Sequence, residues 1–597
     1  MKPRQRPWKW LLVGLVVIVV AGLALLLPHQ LGTSSELRDR VAASLSDWSG
    51  GTVTLTEPLE VRYFPPSLRG GFVLSNATNL PAIRTVTAPD FKVTLDFPEL
   101  LMGRVELDAL RLGQPTITLK ETAGKGAGDQ PFAAMLADAL IDPPLEALRI
   151  RRGTVKWASG KRLIGKLDIR LSAHGRSGVL AALGSFDFNG EDVAFSLDSG
   201  KIKETDAGKA APVTMKVTSE PVTARFSGTV HAADGLEGSG DMETVLPDAR
   251  RFLNWVGVAI PEGDSLKDVA ASGTVHWSGS TMTFDDGTFE LDGNEAVGLF
   301  SLTASARPRV EGTLAFETLI LDPYFGGGDA SAQEIAGFDG FLLKHLDADL
   351  RVSAGEMSAA GLKLGRGGFT INAKGGTISG EIGELDLCGG QAAGRVGLDL
   401  SGARTVASMV GTLSDIAIDS CLQPFALGVP LKGLSTLKLD VSSGGTTHGE
   451  LVRGLVGEVK ITAQNGAVPI DFPELSATSS SESDGWSRGA GTAFTSLDAD
   501  CSLSAGHLWC RSFRMQTLRG LVSGSGGMDV AQQTLDWDFL IADPVAPLDA
   551  SQLVMETPPR VTLHGSLSDP LIQRANRPTL GAGSPEIDPK STSAAPH

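Results

Sequence analysis

The longest apolar run of the chain lies near its N-terminus, over residues 8–27, and carries no charged side chain between Leu11 and Leu27. As a helix of about 20 residues it would be roughly 30 Å long, enough to cross the hydrocarbon core of a bilayer. Trp8 and Trp10 lie at its first boundary, after a basic tail without acids. The positive-inside rule therefore predicts a cytoplasmic tail over residues 1–9, a transmembrane anchor over 10–28 and export of the rest.

A cleaved signal peptide is the alternative interpretation of this run. It is disfavoured because the apolar stretch exceeds the usual 7–15 residues, and because no small-x-small cleavage site follows at residues 28–30. The next segment predicts a short amphipathic helix that starts with a capping box at Thr33 and Glu36. Its apolar residues recur at helical spacing: Leu37, Val41, Leu45 and Trp48. Such a helix either lies on the outer leaflet or, the commoner role, plugs the start of a sheet.

From Thr52 onward the hydrophobic period changes from helical to two, which is typical of strands with one apolar and one polar face. The alternation recurs through most of the chain, at intervals of roughly 8–15 residues and without long helical segments, which favours antiparallel meanders. The apolar positions predicted to line a groove or a core are Val93, Leu95, Phe97, Leu107, Ile117, Leu119, Val275, Trp277, Phe289, Leu291, Leu314, Phe316, Leu385, Leu387, Val396 and Leu398.

A sheet with one apolar face must be covered, and helical segments are too few to cover it. The sequence therefore predicts a mainly β fold with elongated, curled antiparallel sheets that form an apolar groove, together with the N-terminal transmembrane helix and a few short helices. At about 4.8 Å per strand, roughly 30 strands would extend about 140 Å. The alternative is a series of β-sandwich domains whose cores are filled.

Composition divides the β body into an N-terminal region (29–199), a middle region (200–430) and a C-terminal region (431–572), followed by a tail over 573–597 predicted to be disordered. Gly-, Ser- and charge-rich stretches predict loops at residues 121–130, 200–212, 326–333 and 476–491. Short helices are predicted over residues 131–140 and 248–256.

The chain has four cysteines, so three disulfide connectivities are open in an exported protein. A two-residue turn at Ala505 and Gly506 would place Cys501 directly opposite Cys510, at a site where facing side chains are close. This pair is the stronger disulfide candidate, and Cys388 with Cys421 is the weaker one. Two buried free thiols are the alternative for the hairpin pair.

Charge and motifs argue against several classes of function. The formal net charge is −17, and no concentrated basic face of the kind that binds nucleic acid is evident in the sequence. The nine histidines are isolated and none has metal-ligand spacing; there is no Gly-x-Ser-x-Gly elbow, and the glycine-rich stretch at 524–527 precedes a strand rather than a helix. We therefore expect no catalytic residue, no metal and no cofactor.

Six stretches, in order along the chain, resemble the AsmA family of envelope proteins. They are residues 97–126 (FPELLMGRVELDALRLGQPTITLKETAGKG), 145–157 (LEALRIRRGTVKW), 289–324, 387–400 (LCGGQAAGRVGLDL), 431–472 and 561–570 (VTLHGSLSDP). The segment 433–471 is the most diagnostic. One departure is Cys388, which stands where an aromatic residue is expected before the Gly-Gly pair.

The resemblance implies a protein of the bacterial inner membrane, single-pass, with its large C-terminal part in the periplasm and a groove-like β body related to chorein-type bridge lipid carriers. It further implies that membrane phospholipids, and other envelope proteins, are the partners, and that the role lies in outer-membrane lipid homeostasis. The alternative is a non-enzymatic scaffold or assembly factor for outer-membrane proteins.

Overall fold

The computed structural model describes residues 34–63, 65–80, 82–102, 104–120, 146–174, 179–201, 203–205, 208–232, 236–258, 260, 265–305, 307–324, 346–359, 362–422, 432–477, 482–484, 486, 491–542 and 559–574. The predicted anchor, the predicted helix over 131–140, the predicted loops 121–130 and 326–333, and the tail beyond 574 lie outside these residues. Within the described ranges, no helix has the length and apolarity needed to span a bilayer.

The described residues are mainly β, with few helices. The helices are α1 (Ser34–Ser49), α2 (Phe97–Leu101), α3 (Ala249–Trp255), α4 (Ile418–Leu422), α5 (His448–Arg453) and α6 (Phe472–Ala477), with a 3-10 turn at Asp322–Tyr324.

The first seventeen strands are β1 (Thr52–Tyr63), β2 (Pro66–Ser75), β3 (Ile83–Leu95), β4 (Leu107–Gly113), β5 (Thr116–Leu119), β6 (Ala147–Trp157), β7 (Arg162–His174), β8 (Val179–Phe188), β9 (Glu191–Ser199), β10 (Lys203–Thr205), β11 (Gly208–Thr218), β12 (Thr223–Ala232), β13 (Leu236–Leu246), β14 (Val269–Ser278), β15 (Thr281–Leu291), β16 (Asn294–Thr303) and β17 (Arg309–Ile320).

The remaining strands are β18 (Asp347–Ala359), β19 (Leu362–Lys374), β20 (Thr377–Leu387), β21 (Gly390–Asp399), β22 (Thr405–Ala417), β23 (Lys432–Gly445), β24 (Val456–Val468), β25 (Glu482–Asp484), β26 (Thr492–Ser504), β27 (His507–Thr517), β28 (Leu521–Asp529), β29 (Thr534–Ala542), β30 (Arg560–Ser566) and β31 (Pro570–Arg574).

The chain divides into two compact units. Unit 1 comprises Met1–Gly326, Asp339–Gly355 and Thr370–Gly376, and unit 2 comprises Gly327–Phe338, Glu356–Phe369 and Thr377–His597. In unit 1, β6 to β9 and then β11 to β17 pair in sequence order with antiparallel neighbours. In unit 2, β20 to β24 and then β26 to β31 do the same. The predicted antiparallel meander is therefore confirmed over these runs.

Helix α1 packs against the apolar core of the first strands of unit 1. Leu37, Val41 and Leu45 are buried, and Trp48 lies against the same core, which also contains Phe91. These are the residues whose helical spacing predicted an amphipathic helix, so of the two roles open to it, α1 serves as a plug on the sheet.

Three features of the sheet differ from the sequence expectations. Residues 200–212 were expected to form a loop, but they contain β10 and the first half of β11, because β11 is hydrogen-bonded to β12 and its polar backbone is satisfied within the ladder. The expected loop over 476–491 contains β25, which pairs with β31. Strand β6 runs parallel to both β4 and β5, so the meander is interrupted once in unit 1.

Candidate functional site

One register row of residues crosses ten neighbouring strands of unit 2, from β20 to β30. Its members, which we call the apolar row, are Leu385, Ala392, Leu413, Leu437, Ile461, Ala499, Phe513, Gly524, Phe539 and Val561. Residues directly opposite one another in a ladder point to the same face of the sheet. The row is therefore a continuous strip of the apolar face, without a charged or hydrogen-bonding side chain.

Six members of the apolar row, from Leu413 to Phe539, line a cavity of about 490 Å³, whose other lining residues come from strands between β19 and β30, from α4 and α6 and from the segments beside them. Leu413 and Phe539 both line it although six strand spacings separate them, which would be about 29 Å in a flat sheet. A cavity of this size can touch both residues only if the sheet of unit 2 curls. The predicted curled sheet is thus observed within this unit.

One wall of the cavity is a cluster of aromatic rings. Phe513 lies with its ring centroid 5.3 Å from that of Phe539 and 5.6 Å from that of Trp537, both edge-to-face, and Phe472 meets Phe539 at 5.3 Å. Gly524 makes room for this arrangement, because a Cβ at that position would lie 2.8 Å from the ring of Phe539. Edge-to-face pairs contribute about 0.5–1.5 kcal/mol beyond their buried area, so this cluster stabilises the wall of the cavity.

Two disulfides anchor the wall of the cavity. Cys421 and Cys510 line it, and each is bonded to a cysteine of a neighbouring segment, Cys388 and Cys501 respectively. The hairpin pair stands in the register expected from the sequence, with Cys501 opposite Cys510. The turn between these strands has positive φ at both central residues, as a two-residue hairpin turn requires.

The chemistry of the lining is that of hydrocarbon and sulfur. Its residues include no ionisable side chain, and their polar side-chain atoms are the indole nitrogens of Trp486 and Trp537; that of Trp486 donates a hydrogen bond to the Leu567 carbonyl at 2.8 Å. Over the described ranges, no three His, Cys, Asp or Glu side chains are grouped so that they could hold a metal ion. The volume falls within the range of ordinary ligand pockets, and the surface that lines it is almost wholly apolar.

Unit 1 carries a second apolar surface on β14 to β17. A register row there joins Trp277, Met282, Leu302 and Val310, all of them half-buried. Beside it, Phe289 packs within 5.6 Å of Phe284 and 5.5 Å of Phe300, measured between ring centroids. This face is less covered than the N-terminal core, where α1 packs.

The sixteen apolar positions singled out from the sequence fall into three settings. In the N-terminal part of unit 1, Val93 and Leu95 are buried in the core, and Phe97, Leu107, Ile117 and Leu119 pack against it. On β14 to β17, Val275 is fully buried, Trp277 and Phe289 pack against it, and Leu291, Leu314 and Phe316 are half-buried. In unit 2, Leu387 lines the cavity, Leu385 and Leu398 are half-buried, and Val396 is 38% exposed.

Most of the cavity lining was not singled out from the sequence, although part of it carried the same signal. In β29, Leu535, Trp537, Phe539 and Ile541 alternate with polar or exposed residues, which is the same period of two. Phe513 and Ile416 carried no such signal, because each lies immediately after an irregularity in its strand.

Comparison with known proteins gives a family match for part of the cavity-bearing region. No curated protein matches the chain. Residues 337–512, which include β20 to β24 and the hairpin residues Cys501 and Cys510, match the model of the AsmA family. This match confirms the AsmA resemblance over residues 337–512, which include the stretches 387–400 and 431–472 and much of the cavity wall.

Proposed function

We propose that this protein binds and conducts phospholipid in the bacterial envelope, anchored in the inner membrane by residues 10–28, with its β body in the periplasm. This lipid transfer would support the lipid homeostasis and the assembly of the outer membrane. The proposal is supported by the AsmA match and, above all, by the cavity of unit 2, whose lining is almost wholly apolar and has no ionisable side chain.

An acyl chain is the expected occupant of the cavity because exposing such a chain to water costs free energy. Each methylene removed from water contributes about 0.8 kcal/mol, so two chains of roughly 16 carbons would cost more than 20 kcal/mol to hold bare in solution. A lining of Leu437, Ile461 and Phe513 offers a tail the apolar contacts that it loses on leaving a bilayer. The headgroup, for which the lining has no partner, would remain outside the cavity in water.

The mechanism that we propose is passive. No side chain is assigned a catalytic role, since the cavity holds no nucleophile, acid or base that could act on a bound lipid. The sheet would solvate the tail, and net direction would come from a gradient or from a partner at either end of the path.

Site-specific photo-cross-linking of the full-length protein in lipid-containing membranes tests this proposal. A photoreactive amino acid at Leu437 or Leu508 would lie in the cavity lining, whereas one at Leu434, which is 57% exposed, or at Trp509, which is 46% exposed, would sample the outside of the same strands. We expect phospholipid adducts, identified by mass spectrometry, at the first two positions and not at the second two.

Two outcomes would count against the proposal. Equal lipid labelling at lining and exposed positions would mean non-specific contact with the bilayer. Protein adducts without lipid at Leu437 and Leu508 would favour the scaffold alternative, in which the unit holds other envelope proteins.

A further inference from the structure

Five basic residues stand directly opposite one another across five neighbouring strands of unit 1. They are Arg69 on β2, Lys92 on β3, Arg111 on β4, Arg149 on β6 and Arg170 on β7. We call this set the basic row. At about 4.8 Å per strand it extends roughly 19 Å. It was not evident in the sequence because its members are spread over about a hundred positions.

The basic row lies on the face of the sheet opposite the N-terminal core. Its members alternate along their strands with buried residues, so that Leu68, Val93 and Leu110 form the row next to it and point the other way. Those residues belong to the core against which α1 packs. The position of the basic row is thus fixed by the same register that builds the core, and its cations cannot disperse along flexible loops.

The electrostatics of the row are unfavourable for the protein alone. Like charges directly opposite one another in a sheet are destabilising. The guanidinium group of Arg170, together with burial and with Arg151 and Arg111, lowers the pKa of Arg149. Among the described residues, Arg69 has an ion pair with Asp90 at 2.9 Å, whereas no carboxylate lies within ion-pairing distance of Arg111, Arg149 or Arg170.

Two surface depressions follow the row and share Arg149 and Arg151. The first, of about 230 Å³, also includes Arg62 among its cations and has Glu60 and Asp90 as its acids; the second, of about 480 Å³, has Asp168. The row and these neighbours together hold seven cations and three carboxylates, in a chain whose formal net charge is −17. A concentrated positive patch on an acidic protein attracts anionic partners to that surface.

We propose that the basic row docks onto the anionic phospholipid headgroups of the membrane in which the chain is anchored. A rigid line of cations about 19 Å long matches several phosphates lying in one plane, rather than a single small anion. The row also begins only about 40 residues after the predicted anchor, so it belongs to the part of the β body that is tethered nearest to the bilayer along the chain. The inference rests on the proposed membrane location of the protein.

Docking can be measured with a fluorescent reporter on the full-length protein reconstituted into vesicles. Ser172 is exposed on β7, two residues from Arg170 and on the same face, and all four native cysteines are in disulfides. A fluorophore on Ser172→Cys should therefore be quenched by lipids spin-labelled at the headgroup when the row lies on the bilayer. We expect strong quenching in vesicles that contain phosphatidylglycerol, and little in phosphatidylcholine alone or at high salt.

The decisive variant is the triple substitution Arg111→Gln, Arg149→Gln, Arg170→Gln. The ratio of docked to undocked protein should fall on the order of 100-fold, which corresponds to about 1 kcal/mol for each cation near an anionic surface. Folding is checked by the thermal midpoint without anionic lipid, which should be unchanged or higher because like charges have been removed.

The matched control removes three exposed strand cations elsewhere, with Lys216→Gln, Arg225→Gln and Lys438→Gln. It should leave quenching as in the parent protein. Equal loss in both triple variants, or equal quenching in neutral vesicles, would overturn the inference. Release of the reporter by millimolar inorganic phosphate at constant ionic strength would mean a site for a free anion instead.

The cross-linking and quenching experiments together distinguish this inference from the proposed function. If cross-linking at Leu437 captures phospholipid while the reporter is never quenched, lipid binding stands and docking through the basic row is wrong. If the reporter is quenched but no lipid is captured, docking stands and the cavity has another use.

Discussion

Replacement of Leu437 by Trp should obstruct the cavity while keeping its wall apolar. Leu437 is half-buried at the middle of the apolar row, between Leu413 and Ile461. The indole adds about six heavy atoms to the side chain, which would displace about as many methylenes of a bound tail. At about 0.8 kcal/mol each, the loss of binding free energy is at most about 5 kcal/mol, or roughly three thousandfold in affinity. A tail that shifts within the cavity would lose less, so we expect a loss of at least about tenfold.

The assay for this variant is the amount of phospholipid that co-purifies with the full-length protein, together with the affinity for a fluorescent phospholipid. Leu434→Trp is the matched control, because it makes the same change on the same strand at a position that is 57% exposed. Leu434→Trp should bind lipid as the parent does. The thermal midpoint of each variant shows whether the fold is intact.

Two results would refute the reasoning. If Leu437→Trp binds lipid as tightly as Leu434→Trp, hydrocarbon does not occupy the space in front of Leu437. If instead Leu437→Trp destabilises the protein by about 1–3 kcal/mol, as overpacking of a filled core does, the surroundings of Leu437 are packed and cannot receive a tail.

Two further predictions concern stability. Replacing Cys388 and Cys421 by Ser should lower the free energy of unfolding by about 3–4 kcal/mol, because their disulfide closes a loop of 33 residues. Denaturant titration measures this loss, and an unchanged midpoint would mean that the bond is not formed. The Thr446 backbone N–H and hydroxyl donate to the Glu450 carboxylate, both at 2.8 Å, and lower its pKa. Its stabilising effect is therefore fully present above about pH 4.5 and is lost as the pH falls through the lowered pKa. Glu450→Gln should be less stable than the parent at pH 7, by a margin that shrinks as the pH falls below 4.5.

Local sequence patterns were sufficient to predict the elements whose structure depends on residues close together in the chain. The spacing of Leu37, Val41 and Leu45 predicted α1 because a helix brings residues three and four apart onto one face. Asp248 caps α3 by accepting from the Arg251 amide, so that helix was also predictable. The hairpin register at Cys501 followed from the length of its turn alone.

Strand pairings that depend on distant segments could not be predicted in the same way. The parallel pairing of β6 with β4 and β5 is set by a connection of 26 or more residues, for which the local pattern carries no direction. Residues 203–205 and 482–484 are polar and short, and they form strands only because a neighbouring strand satisfies their backbone groups. The basic row has the same origin, since register across five strands, not proximity in sequence, brings its cations together.

β-Bulges explain why a hydrophobic period of two did not predict some of the residues that line the cavity. In a regular strand, residues separated by an odd number point to opposite faces, yet Leu413 and Ile416 both line the cavity, as do Cys510 and Phe513. Each pair flanks a register shift that places one extra residue in the strand, and Asp415 adopts positive φ within the first. A bulge both restores the apolar side chain to the inner face and increases the local twist. The same irregularities that hide the lining from a period of two therefore help to curl the sheet around it. A variant that deletes Asp415 would leave Ile416 two residues after Leu413 and so on the same face, but it should lose the extra twist of the bulge and relax the curl of the sheet there.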